Sequence, residues 1–171
     1  MRSRSIFGVV VATAAALATS AAAGTASAGT TLADATVERQ VAFSEPSCVE
    51  NERVFLTGTI RQRFHLTADG SGGLHLDLYY SAHGQGSGFD ILTDPLFLTP
   101  VASYTASDEQ IQSFQLPEPT FTANTVFNTR VIRQAERVAD DDLYMVTRMH
   151  MTWNGNGIPT VDRFEERLEC R

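Results

Sequence analysis

Hydrophobic and polar positions alternate with period two through most of this chain. In RVFLTGTIRQRFHL, Val54, Leu56, Gly58, Ile60, Phe64 and Leu66 fall on one face, and Arg53, Thr57, Thr59, Arg61, Arg63 and His65 on the other. Successive side chains of a strand point to opposite faces, so this is the pattern of a half-buried β-strand. TADGSGG then supplies the Asp and Gly of a turn, and LHLDLYYSA alternates again, with Leu74, Leu76, Leu78 and Tyr80 opposite His75, Asp77, Tyr79 and Ser81. The two segments read as a long hairpin. Farther on, TFTANTVFNTRVIRQAE runs to the acidic turn RVADDD and returns as LYMVTRMHMTW, in which Leu143, Met145, Met149, Met151 and Trp153 share a face. NGNG is a turn signal, and IPTVDRFEERLEC is the last strand.

Pro95, Pro100, Pro117 and Pro119 break the middle of the chain into short pieces suited to edges, bulges or loops. DEQIQSF has helical spacing but is too short to form an element. Strands are therefore expected at 36–44, 53–66, 74–83, 97–106, 110–116, 121–136, 143–153 and 158–169, with a ninth at 88–93 if that piece counts. Consecutive strands joined by tight turns form a meander, whose edges are hidden by closure or by stacking. The expectation is all-β: an antiparallel up-and-down β-barrel of about eight strands closed by one disulfide, with a β-sandwich as the alternative.

The first residues add a compartment. Two arginines precede a run of apolar and small residues, and Ala26-Ser27-Ala28 stands before Gly29. This is the layout of a secretory signal peptide. A spanning helix would need about 20 strongly apolar residues, whereas this run is mostly Ala, Thr, Ser and Gly. The organisation expected is a signal peptide at 1–28, a flexible lead-in at 29–36 and one barrel domain at 37–171. The mature chain is expected to be secreted and extracellular, without a membrane anchor, and monomeric.

In that oxidising setting the two cysteines, Cys48 and Cys170, read as one disulfide. Closing a loop of about 120 residues would stabilise the fold by roughly 4–5 kcal/mol in the chain-entropy model. Charge narrows the partners. The first 28 residues carry two arginines and no acid, which leaves 11 basic against 20 acidic residues, a net charge of −9. With no basic stripe, nucleic acid is not an expected partner. Every basic residue is arginine, so Schiff-base chemistry on lysine is excluded.

Signature motifs of known chemistries are missing: the chain has no G-x-S-x-G, H-E-x-x-H, P-loop or C-x-x-C. GQGSG lacks the helix a phosphate-cradling loop needs and reads as a flexible connection. Two polar constellations stand out. If the first hairpin turns about Gly70, His65 faces His75 and Arg63 faces Asp77, on a face that reads more simply as solvated. If the last hairpin sets His150 opposite Asp162, the carboxylate would orient the imidazole as a general base. A register slip of two would give Asp162 to Arg148 instead. His83 has no assignable partner. Asp140, Asp141 and Asp142 lack the spacing of a calcium loop. No metal or cofactor is expected.

The signal peptide, CVENERVFLTGT from Cys48 to Thr59, the strand end MHMTWNGNG and the closing VDRFEERLECR together resemble a group of small secreted actinobacterial proteins with no assigned function. The resemblance implies the disulfide and an antiparallel barrel of broadly lipocalin-like or allene-oxide-cyclase-like form, and it brings no catalytic residue.

Three functions fit these readings. The first is a non-enzymatic barrel binding a small apolar molecule, its cavity lined by Tyr80, Phe127, Met145, Met149, Met151 and Trp153. The second is a barrel enzyme of cyclase, isomerase or hydrolase type, using His150 with Asp162 or the His65 and His75 pair. The third is an extracellular protein-interaction or inhibitory module acting through GQGSGFD and the Pro-rich middle.

Overall fold

The structure is a computed structural model, and it describes residues 30–116, 120–135, 142–155 and 159–171. Seven strands follow one another: β1 (Thr30–Pro46), β2 (Glu52–Ala68), β3 (Leu74–Asp90), β4 (Ala102–Leu116), β5 (Phe121–Gln134), β6 (Leu143–Trp153) and β7 (Thr160–Cys170). Each pairs antiparallel with the next, in the spatial order of the sequence. The sheet curls into a nearly closed barrel. The inner face gathers Val54, Leu56, Ile60, Phe64 and Leu66 from β2, Leu76, Leu78 and Tyr80 from β3, Phe127 and Val131 from β5, and Leu143, Met145, Met149, Met151 and Trp153 from β6 into one hydrophobic cluster. The alternation read from the sequence is thus the inside and outside of the wall.

Two places in the wall are thin. β4 and β5 pair only from Ser103↔Gln134 to Ala106↔Val131. Beyond that the strands part, and the gap is spanned by side chains: Gln110 Nε2 donates to the Asn128 carbonyl at 3.2 Å and Gln112 Nε2 to the Val126 carbonyl at 3.5 Å. No ladder joins β1 to β7 either. In a meander with an odd number of strands the first and last run parallel, so they cannot continue the antiparallel pattern. A disulfide between Cys48 and Cys170, with Cα atoms 5.5 Å apart, ties that seam at one end. Midway, the Arg39 guanidinium reaches over the Phe164 ring, 4.2 Å from its centroid. Burial pushes the neighbouring Glu166 carboxyl above its usual range, and the Arg39 charge opposes that rise.

Several expectations change. Among the described residues there are seven strands because 74–83 and 88–90 are one strand running straight through GQGSG, with 91–93 belonging to the loop after it. Likewise 102–106 and 110–116 are one strand, with 97–101 belonging to the loop before it. The glycines are what let β3 continue. A Cβ on Gly86 would lie 2.2 Å from the Phe55 carbonyl oxygen, so only glycine lets β2 and β3 approach so closely there. The expected lead-in is strand from Thr30 onward: Thr30–Thr36 belongs to β1 and pairs with Arg63–Ala68. The expected ends at Ala28 and Gly29, the acids Asp140 and Asp141, and part of NGNG lie outside the described residues.

Candidate interaction surface

The polar constellations of the sequence come apart in the barrel. In the first hairpin Asp69 Oδ1 accepts the amides of Ser71 and Gly73 at 2.9 and 2.8 Å in an Asx-type turn, and the Ser71 hydroxyl, His75 and these amides together hold this carboxyl well below the usual carboxylate range. That turn shifts the register by two, so His65 stands opposite Asp77 and Arg63 opposite Tyr79. His65 then meets Asp34 at 3.5 Å and His75 meets Asp69 at 3.2 Å, and the two imidazoles do not face each other. In the last hairpin a bulge between His150 and Met151 places Arg163 opposite His150. His150 Nδ1 lies 2.8 Å from Asn124 Oδ1, and Asp162 accepts the Thr152 hydroxyl at 2.7 Å. The expected imidazole–carboxylate pair does not form. His83 has Ser107 as its neighbour, 3.2 Å from Nδ1. Among the described residues no three His, Cys, Asp or Glu side chains converge as a metal site.

The six residues expected to line a cavity are all inside, but they are packed. Tyr80 and Phe127 stack with ring planes 2° apart and centroids 4.2 Å apart, and the Tyr80 hydroxyl lies 3.3 Å from Thr129 Oγ1 and 3.0 Å from Thr147 Oγ1. A void large enough for a ligand would leave open area on its walls. Tyr80, Phe127, Met145, Met149 and Met151 are exposed by at most 2%, and Trp153 by 6%.

Among the described residues, exposed apolar side chains concentrate at one end of the barrel, in the loop from Ile91 to Val101 between β3 and β4. Leu92, Leu96 and Leu98 are exposed by 71, 73 and 76%, and Ile91, Phe97 and Val101 are exposed as well. Isolated exposed leucines are ordinary, but a contiguous apolar group is a mark of contact surfaces. This loop is built rather than loose. Its ends are pinned by bonds from the Ile91 amide to the Asn51 carbonyl and from the Val101 amide to the Gly88 carbonyl, both 2.8 Å. Asp90 Oδ1 accepts the Leu92 and Thr93 amides at 2.8 and 3.3 Å, and Asp94 Oδ2 accepts the Thr99 amide. Both carboxylates are therefore turned to the loop's own backbone. Phe97 packs edge-on against Phe55 and Phe89, with centroids 5.1 and 5.9 Å away. To do so it takes a φ of 56°, a conformation that disfavours a bulky residue and is found where surroundings enforce it.

Beneath the loop lies a buried polar group that sequence reading missed. Glu52, Arg133 and Tyr104 converge from β2, β5 and β4, with Arg133 Nη2 donating to Glu52 Oε2 at 2.9 Å and the Tyr104 hydroxyl donating to Glu52 Oε1. Gly88 makes the room, since a Cβ there would meet Glu52 Oε1 at 2.3 Å. Period-two counting places Glu52 and Arg133 on inner faces, and that was the available signal. The apolar loop was legible too, as large hydrophobic residues between Pro95 and Pro100 without alternation.

Fold and surface together define a class: a disulfide-latched, nearly closed up-and-down β-barrel with an apolar core and an apolar loop at one end. Comparison with known protein families, with characterised proteins and with solved structures finds no match to this chain.

Proposed function

We propose that this chain is an extracellular binding module that docks on another protein through the Ile91–Val101 loop. The observation that carries the reading is the exposure of Leu92, Leu96 and Leu98 on a loop whose backbone is held in one shape. A fixed apolar protrusion fits a complementary pocket at little ordering cost. A lipid surface is a poorer match, because the loop has no basic residue and the chain carries a net negative charge. Secretion belongs to the same proposal and is supported by the layout of the first 28 residues, as does the likeness to small secreted barrel proteins. The small-ligand reading has less support, since the walls expected to line its cavity are in contact with each other. An enzymatic reading has less still, with His150 and Asp162 apart.

The test places photoreactive p-benzoylphenylalanine at Leu96 and, as a control, at Ile132 on the outer face of β5. The secreted protein is then irradiated in its native culture medium. A discrete adduct from position 96 that is absent from 132, and that disappears when Leu92 and Leu98 become aspartate, supports the reading. Identical adduct patterns from both positions overturn it.

A further inference from the structure

A second feature lies on the flank of the barrel, about ten residues along β3 from the loop and on the outer face. Register sets two rows side by side across β2, β3 and β4: Arg61, Ser81 and Glu109 in one, Arg63, Tyr79 and Ile111 in the other. These side chains line a groove of about 440 Å3. Small-molecule sites begin at roughly 300 Å3. Tyr80 also borders it, but its side chain points inward to Thr129 and Thr147, which leaves its main chain at the floor.

The chemistry along the groove is mixed in a particular way. Tyr79 and Ile111 give it an open apolar side, exposed by 37 and 63%. Arg63 is held by Asp34, with Nε to Oδ1 at 2.9 Å, and its guanidinium lies 5.9 Å from the Tyr79 ring centroid, so it braces the ring rather than reaching out. Arg61 and Glu109, by contrast, have no hydrogen-bond or ion-pair partner among the described residues. They stand on either side of Ser81, about 10 Å apart at the backbone, since adjacent strands are spaced by about 4.8 Å. Donors on Arg61, acceptors on Glu109 and a hydroxyl that does both thus face one side of the groove, and an aromatic face bounds the other.

That combination matches a molecule with one apolar face and a rim of hydroxyls. We propose that this groove is a carbohydrate-binding site, in which a neutral pyranose ring lies on Tyr79 and its hydroxyls meet Arg61, Ser81 and Glu109. The Arg61 N–H groups donate to hydroxyl oxygens, and the Glu109 carboxylate accepts from hydroxyl protons. The separate opposite charges of Arg61 and Glu109 suit a neutral sugar better than an anion, which Glu109 would repel. This site is separate from the loop and does not depend on the loop's role.

The test uses the folded, disulfide-bonded chain with cellohexaose as probe, and in a parallel arm chitohexaose, read by 15N-HSQC shifts. Shifts confined to the neighbourhood of Arg61, Tyr79, Ser81 and Glu109, with Leu92–Leu98 unmoved, are expected from at least one probe. Tyr79→Ala is expected to weaken binding about two- to tenfold, the loss of one stacked aromatic contact, while Ile132→Ala leaves it unchanged. Arg61→Met and Glu109→Gln, on exposed side chains, are expected to weaken binding too, and they decide the matter if Tyr79→Ala fails to fold. No shift with either probe at millimolar concentration overturns the proposal. So does a response that polygalacturonate reproduces and moderate salt removes, which would mark simple attraction of an anion to arginine.

Discussion

Glu52, at the first position of β2, and Arg133, near the end of β5, form an ion pair at 2.9 Å with side chains only 3 and 8% exposed. The pair crosses the barrel at the level where β4 and β5 keep their four-residue ladder, from Ser103↔Gln134 to Ala106↔Val131. It therefore clamps the wall at the base of the apolar loop, next to its thinnest part. Removing one member of a buried pair strands the other charge away from water, at a cost of about 3–5 kcal/mol. Arg133→Met is expected to lose that much in urea denaturation. Glu52→Leu with Arg133→Met removes both charges and is expected to recover a large part of it. A single-variant loss below about 1 kcal/mol, the range of exposed pairs, would mean that the clamp is solvated.

Alkaline pH is expected to open the same region. Burial raises the Tyr104 hydroxyl well above the ordinary tyrosine value of 10.0, and the Glu52 carboxylate beside it raises it further. Burial also raises Tyr80, against the hydrogen bonds from Thr129 and Thr147. A group whose folded pKa lies above its unfolded value stabilises the fold fully below the unfolded value. That contribution is lost as pH climbs from about 10 toward the folded value. Stability should thus hold as pH approaches 10 and fall beyond it. Absorbance at 295 nm should show these two phenols ionising together with the loss of near-UV dichroism. In Tyr104→Phe the alkaline limb should be shallower, and a limb unchanged by that substitution would assign it elsewhere.

Much of this barrel could be read from the chain because burial alternates with the side chains of a strand. The apolar residues expected on the inward face of β2, from Val54 to Leu66, and of β6, from Leu143 to Trp153, are buried, while Gln62, Val146 and Thr147 are buried without having been expected there. The outcome differed where a local hydrogen bond or a missing Cβ decided the geometry. Asp69 capping its own turn moved the first hairpin by two residues, and the bulge after His150 moved the last by one. Alternation carries no information on either. The separation of His150 from Asp162 follows from that single bulge. The Glu52 clamp was hidden for another reason: Tyr104 and Arg133 stand abreast on β4 and β5, but Glu52 comes from β2 and meets them only when the sheet curls. The groove at Tyr79 depends likewise on which residues stand abreast on β2, β3 and β4.

The disulfide should matter most where backbone pairing is missing. Cys48 and Cys170 are 122 residues apart, and in the chain-entropy model a loop of that size contributes about 5 kcal/mol. Cys48→Ser with Cys170→Ser is expected to lower unfolding free energy by up to that amount, less any strain relieved. Its distinguishing mark is regional. Amide exchange should quicken in β1 and β7, whose shared seam has no ladder, and far less in β2 and β3, which pair along their whole length from Glu52↔Asp90 to Ala68↔Leu74. Uniform quickening across all strands would show that the bridge acts only on the unfolded chain and does not latch the seam.

The glycines of β3 give the sharpest test of why GQGSG is strand rather than connection. A Cβ at Gly86 would sit 2.2 Å from the Phe55 carbonyl oxygen and 2.9 Å from the Leu56 Cα, both main-chain atoms that no rotamer change can move. A Cβ at Gly70, in the hairpin turn, would meet nothing within 4 Å. If GQGSG were a loose link, alanine would be tolerated or even favoured at Gly86, since it restricts the unfolded chain. In a tight β2–β3 contact it must push the strands apart, and overpacking of this kind costs about 1–3 kcal/mol. Gly86→Ala is therefore expected to destabilise by that amount, and Gly70→Ala to change stability little. The displaced strand also carries Phe89, which packs on Phe55 and Phe97, so Gly86→Ala should disturb the apolar loop as well. Loop amides from Leu92 to Leu98 that shift in Gly86→Ala but not in Gly70→Ala would show that the shape of the docking surface is set by how closely β2 and β3 approach.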